Sequence, residues 1–297
     1  MRKTLVTAVV AAGLLGALLA PGPAGAISSY QSSPAPARTE VGAFVALWDG
    51  ADADAEPDRF DWVCSGTMID ADTFLTAAHC TDDWPAGTHW YVSLDQDVQG
   101  WPDQAAALGL SGPAAASWAL ANHHVVEGTP HQDAAFPGSS SDAHDIAVLE
   151  LSSAAAAVAG QTWGFTPARL PRAGQLTQLG GRTLDRLPWW AVGYGTEEAL
   201  RGPGGHTHPG GGVRLQAPLG FNALNKTWVR LAMNRSRGFG GACYGDSGGP
   251  NFLEVDGRLL LVATTITGDG PCYATNVAYR LDSPSARAFL ASYVALP

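Results

Sequence analysis

Positive charge is scarce in this 297-residue chain: 17 Lys and Arg stand against 27 Asp and Glu, a formal net charge of -10. Binding a phosphate backbone needs a basic surplus, so nucleic acid is not an expected partner. Charge of either sign is low as well, at 15%, while apolar residues reach 46%. That balance excludes an acidic disordered segment and leaves enough apolar side chain for a large core. No collagen, coiled-coil or solenoid period occurs, and the length suits one large domain or two small ones sharing an interface. Long apolar runs are missing except near the start, where Arg2 and Lys3 precede an apolar stretch from Leu5 to Ala20, then Pro21 and small residues ending Ala24-Gly25-Ala26. The stretch is shorter than the roughly 18 to 20 residues of a membrane span and reads as a secretory signal peptide, residues 1–26. Cleavage after Ala26 is expected to leave residues 27–297 as a secreted, extracellular protein with no membrane attachment.

Cysteine is also scarce, with four in all. None has a partner at the close spacing of a structural zinc site, so no metal is expected. In an oxidising compartment the four read instead as disulfides. Three pairings are possible. Local pairing of Cys64 with Cys80 and of Cys243 with Cys272 would staple each half of the chain separately.

What is present is a series of short apolar and β-branched runs punctuated by 36 glycines and 20 prolines. That pattern is all-β. Strands are expected at about Val41 to Trp48, Val63 to Ile69, Phe74 to Ala77, His89 to Leu94, Ile146 to Leu151, Trp189 to Tyr194, Val213 to Pro218, Trp228 to Met233, Leu259 to Thr265 and Asn276 to Leu281. Ser153 to Gly174, rich in Ala, Gly and Pro, reads as a connection between two halves. Ser283 can cap a terminal helix with Pro284 in its first turn and Phe289, Leu290, Tyr293 and Val294 on one face. Two barrels or sandwiches plus a terminal helix is the architecture implied.

Three separated segments carry chemistry. Leu75-Thr76-Ala77-Ala78-His79-Cys80 presents a histidine at the end of an apolar strand, anchored by its neighbouring cysteine. His144-Asp145-Ile146-Ala147-Val148-Leu149 places a carboxylate at the mouth of another such strand. Gly245-Asp246-Ser247-Gly248-Gly249-Pro250 surrounds one serine with glycines that let backbone N–H groups approach a small reacting centre. Alone, the histidine reads as structural and the aspartate as a turn or cap residue.

Together they resemble the chymotrypsin-like, trypsin-fold serine endopeptidases. The resemblance runs from about Val41 to the C-terminal helix and includes Cys64-Ser65-Gly66-Thr67, Val192-Gly193-Tyr194-Gly195, and Cys243 just before the serine motif. It implies two six-stranded antiparallel β-barrels, at about 40–155 and about 175–282, with the active site between them and a helix over 283–296. It implies Ser247 as nucleophile, His79 as general base, and Asp145 as the carboxylate that orients the imidazole. The N–H groups of Gly245 and Ser247 would hold the developing oxyanion. The expected partners are protein or peptide substrates, with no cofactor and a monomeric enzyme. Asp133 and Asp142 compete with Asp145, but only Asp145 directly precedes the apolar Ile-Ala-Val-Leu run. The 66-position interval from His79 to Asp145 is long, which implies a surface insertion at about Gln99 to Pro137.

Gly241, followed by Ala242, occupies the position six residues before the serine where trypsin-like members carry an aspartate. Without that charge, a buried Arg or Lys of the substrate lacks its partner, so an uncharged, apolar P1 residue is expected. Thr267, Gly268 and Asn276 are expected on the opposite walls, although Thr264-Thr265-Ile266-Thr267 departs from the family's Ser-Trp-Gly and leaves the pocket's depth open. No Arg-Ile-Val-Gly-Gly activation sequence is present. Removal of residues 1–26 would itself expose Ile27 as an amine for Asp246; a cut after Arg38, or an internal arginine beside Asp246, are the alternatives. Asp49 to Asp58 reads as a solvated acidic turn rather than a calcium loop, and His206 and His208 as part of a mobile glycine-rich loop. The competing class is a secreted protease homologue that binds without cutting, and an acyl hydrolase using the same site is a third reading. The Ala- and Gly-rich composition suggests a bacterial chain.

Overall fold

The computed structural model describes residues 27, 30–48 and 59–297. Residues 1–26, expected to be a signal peptide, and the acidic stretch 49–58 lie outside the described residues. A two-residue strand, β1 (Ser33–Pro34), leads in and pairs with the second half of the chain at Gln216 and Leu215. The first half then closes into a barrel of β2 (Val41–Trp48), β3 (Arg59–Met68), β4 (Thr73–Thr76), β5 (His89–Ser93), β6 (Val126–Gln132) and β7 (Ala147–Leu151), in the order β2-β3-β4-β7-β6-β5. β2 pairs on both sides, with β3 and with β5, and is buried over Val41 to Leu47. Its lack of an alternating polar face follows, since neither face meets solvent.

The second barrel contains β8 (Trp189–Gly193), β11 (Leu215–Leu224), β12 (Trp228–Ala232), β13 (Pro250–Val255), β14 (Arg258–Gly268) and β15 (Thr275–Arg280). Its order is β11-β12-β15-β14-β13-β8, closed by β8 pairing with β11. A small hairpin, β9 (Leu200–Gly202) with β10 (Gly205–Thr207), projects between β8 and β11. The fold is therefore two six-stranded antiparallel barrels, as expected.

Each barrel has its own apolar filling. Phe44 stacks on Trp90 in the first, with ring centroids 5.0 Å apart, beside Phe74, Met68 and Leu149. Trp189, Leu219, Leu231, Leu253 and Val262 fill the second. A third cluster joins them: Val41, Leu75, Ile146 and Val148 from the first barrel meet Val192, Tyr194, Phe252 and Tyr279 from the second. Full burial of each such side chain contributes roughly 1.5 to 3 kcal/mol, so the seam that positions the site is itself core.

Three expectations change. The Gln99 to Pro137 segment is not all insertion, because Val126–Gln132 is barrel strand β6. Ahead of it, helices α1 (Gly100–Ala107) and α2 (Gly112–Ala121) make the excess length. Ser153 to Gly174 begins as an 11-residue helix, α3 (Ser153–Trp163), capped by Ser152, whose hydroxyl accepts from the Ala155 N–H. The alanines that look like linker favour helix once a cap is supplied. Short helices α4 (Gln175–Leu179) and α5 (Gly181–Leu184) precede β8. The terminal helix, α6 (Pro284–Leu290), is capped by Ser283 as expected but ends well before residue 296. Among the described residues no helix is long and apolar enough to cross a membrane.

Candidate active site

The three segments meet where strand ends of the two barrels face each other. β4 ends at Thr76, and the chain turns through a 3₁₀ turn, Ala78–Cys80, that carries His79. The turn is stapled to β3 by the Cys64–Cys80 disulfide. Asp145 lies two residues before β7 and is buried. One of its oxygens accepts from the His79 backbone N–H at 3.0 Å, and the other faces His79 Nδ1 at 2.8 Å. A carboxylate only accepts, so in the neutral ring the proton is on Nδ1 and the lone pair on Nε2. That is the tautomer a general base needs.

Ser247 stands in the loop between β12 and β13, and this loop is fixed by its neighbours' backbone. The Ser65 N–H donates to the Ser247 carbonyl at 2.9 Å, the Ser65 hydroxyl to the Gly245 carbonyl at 2.8 Å, and the Gly248 N–H to the Thr265 carbonyl at 2.8 Å. Gly245 and Gly248 have φ of +91 and +77. A Cβ on Gly248 would collide with Thr76 Oγ1 and come within 2.5 Å of the Ser65 carbonyl, so only glycine permits this approach. Among the described residues the N–H groups of Gly245 and Ser247 have no acceptor, and the Ser247 hydroxyl has no hydrogen-bond partner. Two free donors beside a free hydroxyl are what a tetrahedral oxyanion requires. In a free enzyme the contact between hydroxyl and base commonly tightens only with substrate bound.

His79 and Ser247 line one cavity of about 370 Å³ together with Ala242, Thr267, Gly268 and Asn276. Gly241 is not on its wall; a Cβ there would strike the thioether of the buried Met233. Tyr244, Ile266, Asp269 and Gly270 also line it, and the sequence singles out none of them as wall residues. The neighbourhood of Tyr244 to the serine motif was the one available signal. Asp269 is fully engaged: one oxygen accepts from the N–H groups of Ala274 and Thr275 and the other from that of Tyr273. The second disulfide, Cys243–Cys272, holds the cavity rim. His208 reaches this disulfide, 3.3 Å from Cys243 Sγ, whereas His206 is on the exposed hairpin strand β10. The competing carboxylates Asp133 and Asp142 both face His144 instead of His79.

Asp246, next to the serine, is fully buried. Desolvation pushes its carboxyl up to about 7 from 3.8, against the downward pull of N–H donors from Cys243 and Gly195 at 2.8 Å each. No positive side chain is among its partners in the described residues. Ile27 is buried completely within the second barrel's core cluster, and its N–H donates to the Gly195 carbonyl at 3.2 Å. The residue that would begin the shortened chain therefore bonds the same glycine whose N–H bonds the Asp246 carboxylate.

Residues 54–283 match the family model described as Trypsin. The chain belongs to the trypsin family. The matched span takes in every barrel strand from β3 to β15 and leaves out only β2 of the first barrel, so the likeness is to a whole domain and not to one motif. Membership makes this a chymotrypsin-like serine protease domain, of a peptidase class whose substrates are proteins or peptides.

Proposed function

We propose that this trypsin-family chain is an active, secreted serine endopeptidase with an uncharged, apolar P1 preference. The observation that carries the reading is the double contact of the buried Asp145 with His79, through Nδ1 at 2.8 Å and the backbone N–H at 3.0 Å, while His79 lines the same cavity as Ser247. In this mechanism His79 Nε2 takes the Ser247 proton as the hydroxyl attacks the scissile carbonyl. Asp145 holds the imidazole in place and stabilises it as a cation, and the N–H groups of Gly245 and Ser247 receive the negative charge on oxygen. His79 then returns the proton to the leaving amine, and water releases the acyl group by the same steps. Ala242, Ile266 and Gly268 give the cavity an uncharged wall, and the carboxylate of Asp269 is already committed to three backbone donors. A substrate Arg or Lys would find no carboxylate at position 241, and Asp269 is the one carboxylate of the lining, its oxygens shared with those three donors.

Maturation follows from the same reading. Cleavage after Ala26 during export would turn the Ile27 nitrogen into an ammonium group beside the uncompensated Asp246. The burial of Ile27 and its bond to Gly195, whose own N–H holds Asp246, support this over a cut after Arg38.

The test is to treat the secreted protein with a serine-directed sulfonyl fluoride and record intact and peptide masses beside a Ser247→Ala control. A single adduct on Ser247, absent from the control, with a chain starting at Ile27 and turnover of peptide as well as ester substrates is expected. A folded protein starting at Ile27 that takes no adduct would instead make it either a latent zymogen that needs another cut or a non-catalytic homologue, and turnover of esters alone would make it an acyl hydrolase.

A further inference from the structure

A second histidine stands directly behind the proposed triad. His144 precedes Asp145 and has a left-handed backbone, φ +51, which asparagine, aspartate, histidine and glycine adopt at least cost. Its ring lies between two carboxylates: Nδ1 is 2.8 Å from Asp133 Oδ2, and Nε2 is 3.7 Å from Asp142 Oδ2. Both carboxylates are held in turn. Asp133 Oδ1 accepts from the Ala135 N–H at 3.0 Å, and Asp142 Oδ1 accepts from the Tyr279 hydroxyl at 2.7 Å. Tyr279 belongs to the second barrel, and its oxygen also meets the Ser285 hydroxyl at the start of α6, at 2.9 Å.

The backbone closes the arrangement around Asp145. The Asp133 N–H donates to the Ile146 carbonyl at 3.0 Å, and the Ile146 N–H donates to the His144 carbonyl at 2.9 Å. Asp145 is thus bracketed by two residues that both bond Asp133, one through its side chain and one through its main chain. β7 restrains the carboxylate from the C-terminal side only. Restraint from the other side comes through a left-handed residue whose ring is clamped. Since Asp145 makes two contacts to His79 at once, a rotation at His144 would move both together.

We propose that His144, clamped by Asp133 and Asp142, is a positioning residue that holds Asp145 in register with His79 and couples that register to the second barrel through Tyr279. It touches neither substrate nor the reacting atoms. The proposal rests on the reading of His79, Asp145 and Ser247 as a working triad, but its test does not depend on turnover alone.

His144→Gly keeps the left-handed backbone and removes the clamp, His144→Asn keeps the backbone with one side-chain donor for Asp133, and Asp133→Asn weakens the clamp from the other side. For His144→Gly, kcat is expected to fall about 10- to 100-fold, the cost of small misplacements at a reacting centre, with KM changed less than about 2-fold. The low-field proton resonance of His79 Nδ1–H against Asp145 should broaden or shift upfield. His144→Asn should recover most of both, and Asp133→Asn should fall between them. A merely structural role would lower thermal stability while leaving the resonance and the kcat of the folded fraction in place. That result overturns the proposal, as does a His144→Asn variant no better than His144→Gly. If His144→Gly fails to fold, the asparagine variants carry the same comparison. Should wild type take no sulfonyl fluoride label, the active-peptidase reading fails, and the resonance across the variants still decides the clamp.

Discussion

The state of Asp246 offers a sharp test of how this chain matures. Its carboxyl is raised from 3.8 to about 7 when the chain still continues ahead of Ile27. A folded-state value above the unfolded one means that the folded protein holds the proton more tightly. Stability is then fully present below about 4, declines as pH rises towards 7, and is flat above that. At 1.36 kcal/mol per pH unit the loss is about 4 kcal/mol, an order-of-magnitude figure. A free ammonium at Ile27 would pair with the ionised carboxylate and offset most of that cost. The perturbation is one added residue: a chain beginning at Ala26 against one beginning at Ile27. Urea unfolding of both between pH 4 and 8 isolates the pairing of Asp246 with the α-amine, because every titrating side chain is shared and only the position of that amine changes. The Ile27 chain should gain on the Ala26 chain by several kcal/mol as pH rises to 7, and activity should follow the same difference. Asp246→Asn should abolish the divergence. Profiles that stay parallel within about 1 kcal/mol would refute the pairing and leave the buried carboxylate without its proposed cation.

Asp145→Asn should leave the fold intact and lower kcat by about 10⁴, since the amide favours the wrong imidazole tautomer; steady-state kinetics beside circular dichroism checks it. Gly248→Ala should impair folding or expression, because its Cβ would meet Thr76 and the Ser65 carbonyl at a φ of +77, and thermal denaturation reads the loss. Replacing Cys64 and Cys80 by serine should cost roughly 3 kcal/mol through loop closure, and should lower activity more than the matching change at a remote site because the turn carrying His79 loses its staple. Peptides with an apolar P1 residue should exceed matched Arg peptides by about 100-fold in kcat/KM, because no carboxylate stands at position 241 and the oxygens of Asp269 are shared with backbone donors. Equal rates would remove the uncharged-pocket reading.

Of the three residues the site brings together, His79 and Asp145 were legible because each stands at the end of an apolar strand, where a run such as Ile146 to Leu151 announces itself, and Ser247 because glycines surround it. Strands that break that rule were not. β6, Val-Glu-Gly-Thr-Pro-His-Gln, contains a glycine and a proline, and its side chains are mostly half-buried or exposed, so no apolar alternation marks it. β13 follows directly on the serine motif and gives no separate signal. The helices α1 to α3 hide for the opposite reason: alanine and glycine supply little amphipathic contrast, and only the caps and the packing against the barrel select helix. Counting back from the serine points to Gly241 as a wall of the cavity, yet Met233 packs so closely behind it that the glycine serves the core. Position relative to a motif indicates a backbone location, while the direction of the side chain depends on residues far away in sequence.

Arg214 shows why the supports of the site are the least legible part. It is buried, with no carboxylate among its hydrogen-bond acceptors, and its guanidinium donates to the carbonyls of Ala35, Val41 and Leu94 and to the Tyr194 hydroxyl. Three of these acceptors are backbone, so no pattern of residue types could have identified the partners. The arrangement ties the lead-in strand, the first barrel and the second barrel at one point. It also bears on Asp246. An internal arginine was one candidate for the cation that this carboxylate needs, and Arg214 comes from the barrel that holds it. Its Nε and Nη1 donors are spent on the seam between the barrels and Arg214 is not among the partners of Asp246, which strengthens the case for the Ile27 amine. On the proposed maturation, the cation for the carboxylate beside Ser247 comes from the Ile27 amine and not from the seam that makes the two barrels one unit.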